Sequence, residues 1–208
     1  KYSLSTDYVK KNDSLILLIH GLGCTKNSFK MILNDKRFSS FSILIPDLLG
    51  YGDSSKPENF SYTMEDHAEI LLQLLQDIPY KDIHIVAHSM GNAVGLLLTK
   101  QLTNIKSYSN VEGNLIAEDS GLLSRRTASV SYEEFEKNVF NELRELIGGS
   151  DEIGAKIWVK QTEKASPLAF YKSAISLKDW SDNGELLKIF ESLDCKKTYI
   201  YGSENYEM

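Results

Sequence analysis

The sequence predicts an α/β fold, a doubly wound and mostly parallel sheet with helices on its faces. Two observations carry this. Continuous apolar runs stand at residues 15–20 (L-I-L-L-I-H), 41–46 (F-S-I-L-I-P) and 83–87 (I-H-I-V-A). A run without polar alternation suits a strand buried on both faces, as parallel strands are. Helix-length segments separate these runs, and strand–helix alternation is the pattern of a parallel sheet.

The elements follow in order. Residues 28–33 read as a short helix. Residues 62–77 read as a longer one, with Met64, Ala68, Leu71, Leu72 and Leu75 at helical spacing. Thr63 fits its N-cap, and Asp66 stands three residues on as a capping-box partner weaker than Glu or Gln. Residues 92–102 form the helix after the third run. Strands are expected at 105–111 and 198–201. Between them the pattern breaks: residues 113–193 show little strand character and four amphipathic helices, at 132–147, 153–163, 168–177 and 184–193. An all-helical insertion between two strands of such a sheet lies over the sheet's C-terminal edge, where ligands bind. The expected organisation is a first part of the core over 1–112, a helical cap over 113–193, and the start of the rest of the core over 194–208.

The 208 residues suffice for one good core, and 42% hydrophobic with 25% charged residues is ordinary for a globular domain. A formal net charge of −6 argues against nucleic acid, which needs a basic face. No apolar run approaches the ~18 residues of a membrane span. The polar first residues lack a signal-peptide core, and Cys24 and Cys195 read as reduced thiols rather than a disulfide framework. A cytoplasmic protein acting on a small molecule is expected, with no cofactor and no metal, since no His, Cys or carboxylate cluster has metal-ligand spacing.

Three turns carry chemistry. His20-Gly21-Leu22-Gly23 follows the first strand, and such a turn can offer the Leu22 N–H to a developing oxyanion; a plain strand-ending turn reads the same way. Asp47-Leu48-Leu49-Gly50-Tyr51-Gly52-Asp53-Ser54 follows the second, with Asp47 and Ser54 as loop-fixing hydrogen bonders. Ala87-His88-Ser89-Met90-Gly91 follows the third. A serine on a tight strand-to-helix turn exposes its Oγ, and the Met90 N–H beside it completes an oxyanion hole. The alternative is a serine serving only as a helix N-cap.

These three turns at these spacings resemble the α/β-hydrolase superfamily, closely over residues 15–111 and more loosely to Gly202. The resemblance implies a serine–histidine–acid hydrolase with a helical cap, its catalytic groups in the chain order serine, acid, histidine. Alanine replaces the first glycine of the usual G-x-S-x-G at Ala87, as in some lipase-like members. The commonest acid position, in a G-x-x-D turn after a late strand, holds Asn205, with Glu204 beside it. The superfamily's other acid position follows the strand after the nucleophile helix, and Glu112 stands there. Glu112 ranks first, Glu204 second and Asp119 third. No histidine follows Ser89: His20, His67, His84 and His88 all precede it. By the same resemblance the chain is expected to stop short of the family's last strand and helix, with its general base beyond Met208 and the fragment alone inactive; a natural form without a base is the rival.

The resulting expectation is an esterase-like hydrolase working through an acyl-enzyme on Ser89. Hydrolysis of small peptides or of carbon–carbon bonds uses the same triad. A ligand-binding protein of the same fold without turnover is the alternative of another class. Trp158, Phe170, Tyr171 and Trp180 fall in the proposed cap and either line a pocket or pack helices. Oligomeric state is not legible.

Overall fold

The computed structural model describes residues 2–202. Six strands form one sheet in the order β1-β3-β2-β4-β5-β6. They are β1 (Thr6–Val9), β2 (Ser14–Ile19), β3 (Ser42–Pro46), β4 (Asp82–His88), β5 (Ile105–Val111) and β6 (Lys196–Ile200). β1 runs antiparallel to β3, and the other neighbours are parallel. The doubly wound, mostly parallel sheet is thus present, with one antiparallel edge strand that the sequence did not announce.

Burial explains why β2 and β3 read as unbroken apolar runs. Leu15, Leu17 and Ile19 join Leu44 in the main core, while Ile16, Leu18, Ile43 and Ile45 face a second core on the other side. That second core is closed by Phe29, Ile32, Leu33 and Phe38 from residues 26–38. Here the expected short helix takes the tighter 3-10 form, Lys26–Asn34 followed by Lys36–Phe38.

Helix α1 (Met64–Gln76) starts where the sequence places it: the Thr63 side chain accepts the Asp66 N–H, and Met64, His67, Ala68, Leu71 and Leu75 are buried. Helix α2 (Met90–Thr99) is buried at every position, which fits its lack of a polar face. It lies so close to β2 that a Cβ on Gly91 would stand 2.4 Å from the Ile19 carbonyl oxygen and 2.7 Å from that of His20.

Between β5 and β6 the described chain is helical: α3 (Leu122–Ala128), α4 (Tyr132–Glu134), a π-helical turn (Phe135–Val139), α5 (Phe140–Gly148), α6 (Ile153–Thr162), α7 (Pro167–Asp182) and α8 (Glu185–Ser192). The single helix expected over 132–147 is interrupted by that π turn, and α3 is an addition. Helix α7 opens with Ser166 accepting the Ala169 N–H and Pro167 in the first turn. It rests on the loop after β3. There the Ser166 N–H donates to the Gly50 carbonyl (2.8 Å), and Tyr51 Oη donates to the Ala169 carbonyl (3.3 Å). Ser173 Oγ donates to the Tyr62 carbonyl (3.1 Å). These bonds join the helical insertion to the C-terminal edge of the sheet. Helix α8 returns toward α2, with Phe190 edge-on to Tyr108, the ring centroids 6.1 Å apart.

The backbone contact at Gly91 gives a paired expectation. Gly91→Ala should lower unfolding free energy by about 1–3 kcal/mol through overpacking against backbone. Gly154→Ala, where nothing lies within 4 Å, should be neutral or raise it by up to about 1 kcal/mol. Urea denaturation of both variants checks this; equal stabilities would contradict the close approach.

Candidate active site

Register builds the site. Ile19 pairs with Ala87, and His88 pairs with Val111, which pairs with Ile200. The C-terminal ends of β2, β4, β5 and β6 are therefore level, and the residues just past them, His20, Ser89, Glu112 and Tyr201, share one edge.

Ser89 is half-buried and sits at φ 51°, ψ −124°, a region that non-glycine residues avoid at a cost of about 1–3 kcal/mol. Its backbone is held on both sides: the Ser89 N–H donates to the Val111 carbonyl (3.0 Å), and the Ser89 carbonyl accepts the Asn92 N–H (2.9 Å). Although Ser89 stands at the N-cap of α2, its side chain makes no capping hydrogen bond. Gly21 lies against it, since a Cβ there would come 2.9 Å from Ser89 Cβ. Met90 is the first residue of α2, so its N–H has no acceptor within the helix. Leu22 occupies the middle of a turn closed by the Cys24 N–H donating to the Gly21 carbonyl (3.1 Å), with Gly23 at φ +74°. The turn itself offers the Leu22 N–H no acceptor.

His20 supports this turn from beneath. Its Nδ1 lies 2.9 Å from the Gly21 carbonyl oxygen, and its Nε2 lies 3.0 Å from the Leu48 N. A carbonyl only accepts and an amide only donates, so the ring is neutral with its proton on Nδ1. Burial pushes the His20 pKa down to about 4, against the opposing pull of its Gly21 hydrogen bond and of the Asp47 charge. Asp47 in turn accepts from the Lys26 N–H (2.7 Å), the Asp53 N–H (2.9 Å) and Lys26 Nζ (3.0 Å), while Ser54 Oγ donates to the Asp47 carbonyl (2.6 Å). Asp47 and Ser54 are loop fixers, and the buried Lys26 is the partner that sequence reading missed.

The three acid candidates differ in place. Glu112, exposed and at φ 50°, ends β5; its N–H donates to the Ile200 carbonyl (2.8 Å), and its Oε1 accepts the Gly202 N–H (2.9 Å). Its charge raises the pKa of His88, which burial lowers by more. Asp119 uses Oδ2 to accept the Leu115 (2.7 Å) and Ile116 (3.1 Å) N–H groups, closing its own loop. Glu204 lies outside the described residues, as does Asn205.

Among the described residues no histidine ring is hydrogen-bonded to Ser89. His67 is buried among Tyr51, Phe60 and Tyr62, its Nε2 3.3 Å from Ser173 Oγ. His84 Nδ1 meets Ser107 Oγ at 2.8 Å, and the His88 Nδ1 is buried without a partner. No group of three or more metal-binding side chains occurs among the described residues, and none of their helices is long and apolar enough to cross a membrane. Cys24 and Cys195 are free thiols, with burial pushing the Cys24 pKa up to about 11.

The four aromatic residues of the helical insertion mainly pack or bond to backbone and side chains. Phe170 is fully buried beside Phe135 and Phe140, and Tyr171 Oη donates to the Val130 carbonyl. Trp180 Nε1 donates to Glu65, and Trp158 Nε1 donates to the Leu22 carbonyl at 2.9 Å. Gln161 is equally close to the first turn, accepting from the Thr25 N–H at 2.6 Å. Nothing in the sequence signalled Gln161.

Comparison with known proteins now decides the family. The model of the alpha/beta hydrolase fold family matches residues 14–142, more than half of the chain. The chain belongs to that family. It is 39% identical over 82 residues to Lipase 1 of Psychrobacter immobilis, a match covering 39% of this chain and 25% of that lipase. It is 31% identical over 108 residues to the probable lysophospholipase BODYGUARD 4 of Arabidopsis thaliana, covering 50% of this chain and 26% of the relative. The matches thus span about a quarter of these relatives' length. Among solved structures, a bromoperoxidase from Bacillus anthracis superposes with a TM-score of 0.76 at 16% identity, over 97% of this chain and 77% of its own. An esterase from Exiguobacterium antarcticum superposes with a TM-score of 0.71 at 14% identity, over 95% of this chain and 76% of its own. At such identities the structural matches speak for the α/β-hydrolase fold alone.

The buried histidines fix a pH dependence. Burial lowers His20 to about 4 and His67 to about 3, with the nearby His20 further lowering His67. The unfolded chain therefore binds these protons first as pH falls from about 6.5, and stability is full above that pH and is lost on the way down. Between pH 7 and pH 5 each histidine should remove about 2 kcal/mol, read as a falling urea midpoint; a midpoint unchanged over that range would contradict the neutral buried rings.

Proposed function

We propose that the protein is a serine hydrolase of small ester-like carbonyl substrates, acting through an acyl-enzyme. The observation that carries this reading is Ser89 itself. Its backbone is strained, it is clamped at the end of β4, and its Oγ is not spent on capping the helix it starts. Strain of this kind persists only where the surroundings over-determine it, and it concentrates at functional sites. The lipase and probable lysophospholipase names of the relatives support an ester as the bond attacked.

In the proposed reaction Ser89 Oγ attacks the carbonyl carbon and its proton passes to a general base. The carbonyl oxygen, now negative, is met by the Leu22 and Met90 N–H groups. The tetrahedral intermediate collapses, the base protonates the departing alkoxide, and the acyl group remains on Ser89 Oγ. Water, deprotonated by the same base, repeats the attack and frees the acid and the serine. We assign the base to a histidine from outside the described residues, because none of the four described histidine rings is hydrogen-bonded to Ser89. Glu112 orients that histidine and stabilises its charged form; its place past the end of β5, level with Ser89, supports this role. Glu204 is the alternative acid. The helices drawn from residues 113–193 act as the cap over this edge.

The test uses the intact protein and p-nitrophenyl butyrate. Ser89→Ala should abolish turnover and fluorophosphonate labelling, and undiminished labelling would sink the assignment. Glu112→Gln should lower kcat by about 10³–10⁴-fold. Near-normal turnover in that variant would move the acid to Glu204.

A further inference from the structure

The helical insertion does more than cover the site: it reaches the oxyanion turn at two points. Trp158 and Gln161, one turn apart on α6, face the segment from Leu22 to Ser28. The indole Nε1–H donates to the Leu22 carbonyl (2.9 Å). Gln161 is 8% exposed, and its Oε1 accepts from the Thr25 N–H (2.6 Å), Thr25 Oγ1 (3.1 Å) and Ser28 Oγ (3.0 Å). The contact is close as well as polar. A Cβ on Gly23 would come 2.7 Å from Thr162 Cγ2 and 3.0 Å from Trp158 Cζ2.

We propose that Trp158 and Gln161 are positioning residues, which hold the 21–28 loop from the cap side so that the Leu22 N–H is presented to the oxyanion. This rests on the reading of Leu22 as an oxyanion donor. The physical reason lies in the turn. With Gly23 at φ +74°, the Gly21–Cys24 turn has the positive third position of a type II turn. The peptide between Leu22 and Gly23 can rotate to the type I form with little movement of the ends. The indole hydrogen bond to the Leu22 carbonyl holds the peptide that follows Leu22, while the Cys24 N–H and His20 Nδ1 hold the Gly21 carbonyl of the peptide that carries the Leu22 N–H, so Leu22 is fixed on both sides. On one side β2 anchors the loop, and on the other Gln161 anchors Thr25 and Ser28. Leu22 lies between the two anchors. Met90, the other donor, starts α2 and depends on neither, so releasing the α6 contacts disturbs only one half of the hole.

The experiment measures p-nitrophenyl butyrate hydrolysis by the intact protein. Trp158→Phe keeps an aromatic ring and removes the donor. Gln161→Leu removes the acceptor, and Gln161→Glu restores acceptor oxygens. The first two should lower kcat by about 10–100-fold, less than loss of a whole donor, with KM within about twofold. Gln161→Glu should recover most of kcat. Wild-type kcat in Trp158→Phe and Gln161→Leu would overturn the proposal, as would a change confined to KM, which marks a pocket wall instead. If Trp158→Phe does not fold, the Gln161 pair decides, and equal loss in both its members overturns the positioning role. Failure of the underlying hydrolase reading looks different: the wild-type protein would then show no turnover that depends on Ser89.

Discussion

The Ser89 N–H to Val111 carbonyl hydrogen bond, at 3.0 Å, is the interaction on which the rest of the site depends. It continues the β4–β5 ladder by one residue beyond the strand and sets Ser89 into a backbone conformation that it would not adopt alone. It works because the parallel strands end level. A slip of one residue would turn every side chain to the other face of the sheet and carry Ser89 out of the turn. The same ladder continues outward through the Glu112 N–H to the Ile200 carbonyl at 2.8 Å. Ser89 and Glu112 are thus placed by adjacent steps of one hydrogen-bond pattern.

What supports that register is apolar packing on both faces of β2 and β3, together with a helix that lies against the backbone of β2 through Gly91. The turns above it are fixed by polar groups that burial makes expensive to leave unpaired. His20 is kept neutral to satisfy one donor and one acceptor, and the Asp47 carboxylate gathers three donors from Lys26 and Asp53. The C-terminal edge of the sheet is therefore set from below by the register of the strands. From above it is held by α6 and α7.

How much of this could be read in the sequence follows from the range of the interactions. β2 and β3 were legible because burial on both faces leaves continuous apolar runs, whereas β4 alternates buried and half-buried positions and was legible from its buried Ile83, Ile85 and Ala87. The turn at Ser89 was legible because close approach to β2 demands a small residue at Gly91, two positions after the serine. β1 was not: T-D-Y-V is half-buried throughout, on an edge, and carries no run. The π turn at Phe135–Val139 and the 3-10 form of Lys26–Asn34 are adjustments that propensity does not register. The reach of Gln161 to Thr25 spans 136 positions, and no local pattern announces a partner so distant. Trp158 drew notice only as an aromatic, whereas its indole N–H makes the contact that matters to the first turn.

The most direct measurement is a crystal structure of the intact protein after reaction with an alkyl fluorophosphonate, whose phosphoryl oxygen stands in for the oxyanion. The account predicts phosphorus bonded to Ser89 Oγ and the phosphoryl oxygen about 2.7–3.1 Å from both the Leu22 and Met90 backbone nitrogens. An adduct on another residue, or a phosphoryl oxygen turned away from both amides, would contradict it.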